Sequence, residues 1–195
     1  MIGVLGALLI PRQKAGAIRY WSLINTAITL VLSIILYMRF DTSLGGMQPT
    51  FNVAIPWIEQ FNIFYRLGVD GISLPMVILT SLLFFICVLS SWTVEKSVKA
   101  YFALFLFLQC SVLGVFLALD FFLFYVFWEV MLIPMFFLIG VWGGANKEYA
   151  AVKFFLYTFF GSILMLVGMV ALYYASAQNG EMAQNSVNIL SLYGG

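Results

Sequence analysis

Histidine is absent from this 195-residue chain. That removes imidazole metal sites, an axial haem histidine and every Ser-His or Cys-His nucleophile. Cysteine is nearly absent: Cys87 and Cys110 are the two present, both inside apolar runs where they read as small core residues. An all-cysteine iron–sulfur cluster takes about four ligands, so the chain cannot build one alone. No G-x-G occurs and no lysine follows a glycine, which excludes the dinucleotide-binding fingerprint and the phosphate-binding P-loop. Charge is the scarcest commodity. Asp, Glu, Lys and Arg total 9%, against about 25% in a soluble domain, and a net charge of +1 gives no reason to expect a nucleic-acid partner.

What is present is apolar surface. Hydrophobic residues make up 64% and the mean hydropathy is +1.05. So little charge could not cover a folded chain in water, so the solvent is lipid. Five segments are long and apolar enough to span a bilayer, roughly 20–38, 73–91, 101–119, 121–142 and 150–174. Met1–Ile10 is about half a span. It is no signal peptide, because Arg12, Lys14 and Arg19 follow the apolar run instead of preceding it. It reads as the second half of a first helix.

Lysine and arginine fix the orientation. Residues 11–19 (Arg12, Lys14, Arg19), 92–100 (Lys96, Lys99) and 143–149 (Lys147) fall on one side, which should be the cytoplasm or its organellar equivalent. Tyr20, Trp21, Tyr37, Trp92, Tyr101, Trp142, Tyr149, Tyr173 and Tyr174 fall near expected helix ends, as interfacial anchors do. The expected organisation is therefore 1–38, a partial and a second membrane helix; 39–72, an extracytoplasmic loop; 73–175, four further membrane helices; and 176–195, a polar tail or loop. The apolar content of the 39–72 loop indicates that it packs on something. Ser73 is the expected N-cap of the helix that follows it, with Pro75 in the first turn. Asp120, between two spans, is expected to cap the second.

Two charges lie inside the spans. Glu129 is nine positions past Asp120, roughly 13 Å below the outer end of its helix and close to mid-bilayer. An ionised group there costs about 2.5–3.5 kcal/mol on insertion scales. Pro134, five residues on, cannot donate to the Val130 carbonyl, so a kink and a free carbonyl are expected beside the acid. A buried acid on a broken helix suits a proton or ion path. The competing reading is a protonated glutamic acid hydrogen-bonded to a neighbouring helix. Lys153 lies a turn inside the last span and shares a helix face with Tyr149, Tyr157 and Gly161. It serves the same path, or it snorkels to the basic surface. Glu129 is about 20 Å and Lys153 about 6 Å from the inner boundary, so a direct ion pair near 4 Å is not expected. Water bridges them, or the partner of Glu129 lies outside this chain. Gly140 and Gly144 have the small-xxx-small spacing of close helix packing, weakly placed at a helix end.

Three stretches carry a family resemblance. They are Gly68-Val69-Asp70-Gly71-Ile72-Ser73; Leu119-Asp120 through Phe127-Trp128-Glu129-Val130-Met131-Leu132-Ile133-Pro134-Met135; and Ile139-Gly140-Val141-Trp142-Gly143-Gly144 followed by Lys153-Phe154-Phe155-Leu156-Tyr157-Thr158. From near residue 3 to at least 175 the chain closely resembles subunit M of bacterial NADH–quinone oxidoreductase (respiratory complex I), the counterpart of mitochondrial subunit 4. The resemblance implies an all-α polytopic membrane protein, an antiporter-like subunit cut short of its full set of inverted repeats. About five full transmembrane helices and a partial first helix would be present. It implies that Glu129 is the fifth-helix glutamate of the family's proton path and Lys153 its sixth-helix lysine. The seventh-helix lysine that pairs with the glutamate would lie beyond Gly195. Many relatives carry an acid where this chain has Gln109. No cofactor is expected on the chain itself; NADH, FMN, iron–sulfur clusters and quinone would be used by other subunits. The expected partners are the other membrane subunits of the complex, neighbouring antiporter-like subunits among them, and the lipid bilayer. The expected location is a bacterial inner membrane. An Mrp-type cation/proton antiporter subunit is the alternative within the same architecture, and a membrane scaffold without an ion path is the alternative outside it.

Overall fold

The structure is a computed structural model that describes residues 2–11, 14–40, 53–58 and 63–178. The expected polar tail at 176–195 lies almost wholly outside the described residues, as does most of the first part of the 39–72 loop. Six helices follow one another: α1 (Ile2–Leu9), α2 (Ala15–Met38), α3 (Ser73–Ser90, extended by a 3₁₀ turn over Ser91–Thr93), α4 (Val98–Leu117), α5 (Phe121–Trp142) and α6 (Lys147–Gln178). Five of them, α2 to α6, are long and apolar enough to cross a membrane. The all-α membrane architecture holds, with one addition. β1 (Val53–Ile58) and β2 (Ile63–Leu67) form an antiparallel hairpin, Val53 opposite Leu67, with an irregularity between Pro56 and Ile58.

α4 is the hub and packs against α1, α2, α3 and α5, while α6 packs on α5. The cores are small. Ile18, Val88 and Phe102 join α2, α3 and α4; Ala7, Ala103 and Leu106 join α1 to α4. Large apolar side chains such as Ile28, Leu83, Phe137 and Leu164 point outward. In lipid this arrangement carries no hydrophobic penalty, and helix association must come from close packing and polar contacts instead. Cys87 departs from its expected core role: it is exposed on α3. A surface facing lipid makes no distinction between core and outward apolar residues, so sequence hydrophobicity alone could not place it.

Gly114 shows how close packing works here. A β-carbon at that position would run into the Phe127 ring, so the missing side chain lets α4 and α5 approach. Gly114→Ala is expected to destabilise the bundle by about 1–3 kcal/mol through overpacking. Gly168→Ala on α6, where a β-carbon meets nothing within 4 Å, should be neutral or better. Thermal denaturation of the detergent-solubilised protein, both variants against wild type, checks this.

The ends facing the hairpin are tied together by backbone. Gly68 N–H donates to the Leu117 carbonyl (3.0 Å) and Leu119 N–H to the Arg66 carbonyl (3.0 Å). The end of β2 and the residue after it are therefore pinned to the α4–α5 junction. There Asp120, 2% exposed, caps α5 by accepting from the Phe122 (2.9 Å) and Leu123 (3.3 Å) amides. At α3 the capping differs from expectation. Asp70, not Ser73, supplies the cap: its carboxylate accepts from Ser73 N–H (2.6 Å) and Ile72 N–H (3.2 Å), and Ser73 Oγ accepts from Asp70 N–H (3.0 Å). A carboxylate outcompetes a hydroxyl for the free amides because the charge-assisted bond is stronger. Ser73 takes the reciprocal role three residues on, as in a capping box.

Candidate functional site

Most buried polar groups within the spans are satisfied inside their own helix. The hydroxyls of Ser22, Thr26, Ser81, Ser111, Thr158 and Ser162 each donate to a carbonyl three or four residues back. Such hydroxyls remain able to accept a further bond, which makes them usable as relay points without a cost in unmet donors. Two side chains deep in the spans are different. The Gln109 amide nitrogen on α4 and the Glu129 Oε1 on α5 are buried and have no hydrogen-bond partner among the described residues.

Glu129 sits between Asp120, which starts α5, and Pro134, through which α5 continues to Trp142. Pro134 is buried and its nitrogen bears no hydrogen, so the Val130 carbonyl receives nothing from it. Tyr125, one turn before Glu129, lies beside the carboxyl, and Ser162 of α6 is near the same phenol. Three side chains on two helices thus form a small polar cluster: Glu129, Tyr125 and Ser162. The Ser162 hydroxyl already donates to the Phe159 carbonyl, so the phenol's single O–H can be directed to the carboxyl or to Ser162, but not to both at once. Tyr125 belongs to no motif in the sequence. Its spacing of four from Glu129 was the available signal.

Gln109 lies near this level. Gly114 abuts Phe127 across the antiparallel α4–α5 pair, which sets Glu129 beside about residue 112 and Gln109 about 4–5 Å further toward the basic side. Gln109 is 4% exposed.

Lys153 is placed elsewhere. Its ammonium lies over the rings of Tyr149 (5.6 Å) and Tyr157 (5.8 Å), one turn before and after it. All three are exposed, and with Val152, Leu156 and Phe160 they line a shallow groove on α6. The side of α6 that meets α5 carries Ala151, which nears Gly140, Phe155, which meets Phe136, and Ser162. Lys153 and Ser162 are nine residues apart, which at about 100° per residue is half a turn. Lys153 therefore points away from α5. It also stands level with about residue 138 of that helix, roughly 13 Å along the axis from Glu129. The structure does not bring Glu129 and Lys153 together.

The basic side is built around Trp142. Its indole N–H donates to the Lys96 carbonyl (2.7 Å), and its ring meets Tyr101 edge-on at 5.3 Å. Arg19 donates to the Val94 carbonyl (2.9 Å) and Tyr20 packs edge-on against Trp92. Aromatic residues at this level match the interfacial anchoring expected of them. No group of three or more Cys, Asp or Glu residues able to hold a metal occurs among the described residues.

Comparison with known proteins agrees with this architecture. The family model described as NADH:quinone oxidoreductase/Mrp antiporter, TM, matches residues 118–193, a stretch that contains both Glu129 and Lys153. NADH-quinone oxidoreductase subunit M of Rhodobacter capsulatus is 49% identical over 155 residues, covering 80% of this chain and 30% of the relative. F(420)H(2) dehydrogenase subunit M of Methanosarcina mazei is 40% identical over 149 residues, covering 76% of this chain and 30% of the relative. Respiratory complex I from Thermus thermophilus with bound NADH contains a chain that superposes with a TM-score of 0.75 at 25% identity, over 90% of this chain and 35% of that one. The fold and the family model place the chain among antiporter-like membrane subunits, multi-pass and of the inner membrane. More narrowly, the chain matches the N-terminal portion of subunit M of NADH-quinone oxidoreductase. It spans about a third of the length of the relatives it matches.

Proposed function

We propose that this chain forms part of a proton-translocating subunit of an NADH–quinone oxidoreductase, with Glu129 as the group that takes up and releases the proton. One observation carries the reading. The acid is half-buried at mid-helix, with its Oε1 buried and unpartnered among the described residues, while the neighbouring hydroxyls are satisfied by their own backbone. A structural glutamic acid would be expected to have both oxygens engaged, since leaving a buried polar atom unmet costs about 1–3 kcal/mol. Tyr125 and Ser162 are the orienting groups. Lys153 acts on the same path through its charge, from a distance. Electron transfer and its cofactors belong to other subunits, and movement of charge in those subunits shifts the protonation of Glu129. The partners are the other membrane subunits of the complex. In this reading 73–175 is the unit that carries the path and 39–72 its extracytoplasmic cover.

An Mrp-type cation/proton antiporter subunit is the second reading, supported by the shared family description. The identity to subunit M of R. capsulatus favours the first. The test is proton movement in inside-out membrane vesicles from cells whose own subunit has been replaced by the full-length protein. The first reading expects acidification on adding NADH that needs the subunit. Sodium-driven proton movement without NADH would replace it by the second.

A further inference from the structure

The two lysines nearest Trp142 share a single acceptor. Lys96 Nζ donates to the Val141 carbonyl at 3.2 Å and Lys147 Nζ donates to the same oxygen at 3.0 Å. Their ammonium groups are therefore no more than about 6 Å apart. Lys96 comes from the α3–α4 connection and Lys147 from the first turn of α6, so two separate loops converge on the last turn of α5.

That convergence is built. A β-carbon on Gly143 would collide with the Ile139 carbonyl and stand 2.9 Å from the Lys147 β-carbon. Only glycine lets the chain turn so tightly that Lys147 reaches back to Val141. Ser97, beside Lys96, holds a left-handed φ of 48°, which is uncommon for a residue with a side chain. The Trp142–Lys96 hydrogen bond fixes the same loop from the other side.

The helix C-terminus attracts one cation readily, since its carbonyls carry partial negative charge. It does not explain two. Neither ammonium has a carboxylate partner among the described residues, although Glu95 and Glu148 are the adjacent residues in the chain. The charge of Lys147, with the close approach of the two side chains and slight burial adding to it, holds the Lys96 ammonium below the ordinary lysine pKa. Two like charges are held this close by a loop with a left-handed Ser97 and by a tight turn at Gly143.

We propose that Lys96 and Lys147 together bind the phosphodiester of an anionic phospholipid at the basic face of the membrane. The spacing suits one phosphate, whose oxygens can meet both ammonium groups while each keeps its bond to Val141. The level suits a lipid more than a free phosphate. Trp142 and Tyr101 mark the headgroup region there, and the exposed apolar sides of α3 and α6 lie below it for the acyl chains. A basic residue near an anionic membrane surface strengthens lipid attraction by an amount equal to about fivefold each, so the pair should contribute about thirtyfold.

The test uses the full-length subunit within its complex, in nanodiscs of phosphatidylcholine carrying a small fraction of photoreactive phosphatidylglycerol. The readout is labelling of chymotryptic peptides from the two loops. Lys96→Ala with Lys147→Ala should lower their labelling about thirtyfold at subsaturating lipid, and Lys96→Arg with Lys147→Arg should retain it. Lys99→Ala, a nearby lysine outside the pair, should retain it as well. Added inorganic phosphate should compete poorly. The proposal is overturned if the double alanine variant labels like wild type, or if Lys99→Ala reduces labelling as much as the pair does, which would mean a diffuse basic surface. Efficient displacement by inorganic phosphate would assign the pair to a soluble anion instead.

Discussion

Glu129→Gln in the full-length subunit is expected to remove most NADH-driven proton pumping while the complex still assembles. Glutamine matches glutamate in size and can keep the contact with Tyr125, so the α5–α6 packing should survive. What it loses is the ability to ionise. A carboxyl at mid-membrane is held between two costly states: charged in low dielectric, at about 2.5–3.5 kcal/mol or more, or neutral with an oxygen unmet. An amide in the same place can neither take up nor release a proton. Glu129→Ala should show the same loss of pumping. Glu129→Asp should retain part, because the acid remains but is one methylene shorter and stands further from Tyr125. The measurement is vesicle acidification on adding NADH, with the subunit's presence in the complex checked alongside. Normal acidification by an assembled Gln variant would remove Glu129 from the proton path.

The membrane helices were legible because an apolar run of about 20 residues has few alternatives once charge is this scarce. Their ends were less so. α2 starts at Ala15, before the roughly 20 expected, because the turn carrying Gly16 and Arg19 is polar yet still helical. α6 starts at Lys147 for the same reason: a first turn at the membrane surface can be charged. The hairpin was hidden by Pro56, which argues against a strand by removing a donor. In a two-stranded hairpin both strands are edges, so a proline is tolerated. The loop meets the α4–α5 junction through backbone at Arg66 and Gly68, not through the apolar side chains that drew notice, and Ile55 is exposed; that target depends on a fold that no local pattern encodes. Glu129 stood out as the one acid far from a helix end. Tyr125 did not, because a tyrosine among ten tyrosines and twenty phenylalanines carries no signal until the neighbouring helix brings Ser162 to it. Nor could helical periodicity say which side of α6 meets α5, and that side decides where Lys153 points.

Lys153→Ala should lower NADH-driven pumping several-fold, and Lys153→Arg should stay within about twofold of wild type. The reason lies in distance. Lys153 is at least about 13 Å from Glu129 and points to the opposite side of α6, so it can influence the acid only through its charge. At an effective dielectric of about 20, two unit charges 13 Å apart interact by about 1.3 kcal/mol, which bounds the effect at just under tenfold. Arginine keeps that charge and also stacks on aromatic rings, so the positions over Tyr149 and Tyr157 remain available to it. Alanine loses both the charge and the two ring contacts. Those contacts are exposed and worth about 0.5–1 kcal/mol each at most, too little to threaten folding. The comparison therefore separates charge from stability. Vesicle acidification on adding NADH, normalised to assembled complex, gives the answer. If the alanine and arginine variants both pump like wild type, Lys153 only snorkels to the basic surface and has no part in moving the proton. If both fail equally, the lysine is needed for more than its charge, and the long-range electrostatic role assigned to it is wrong.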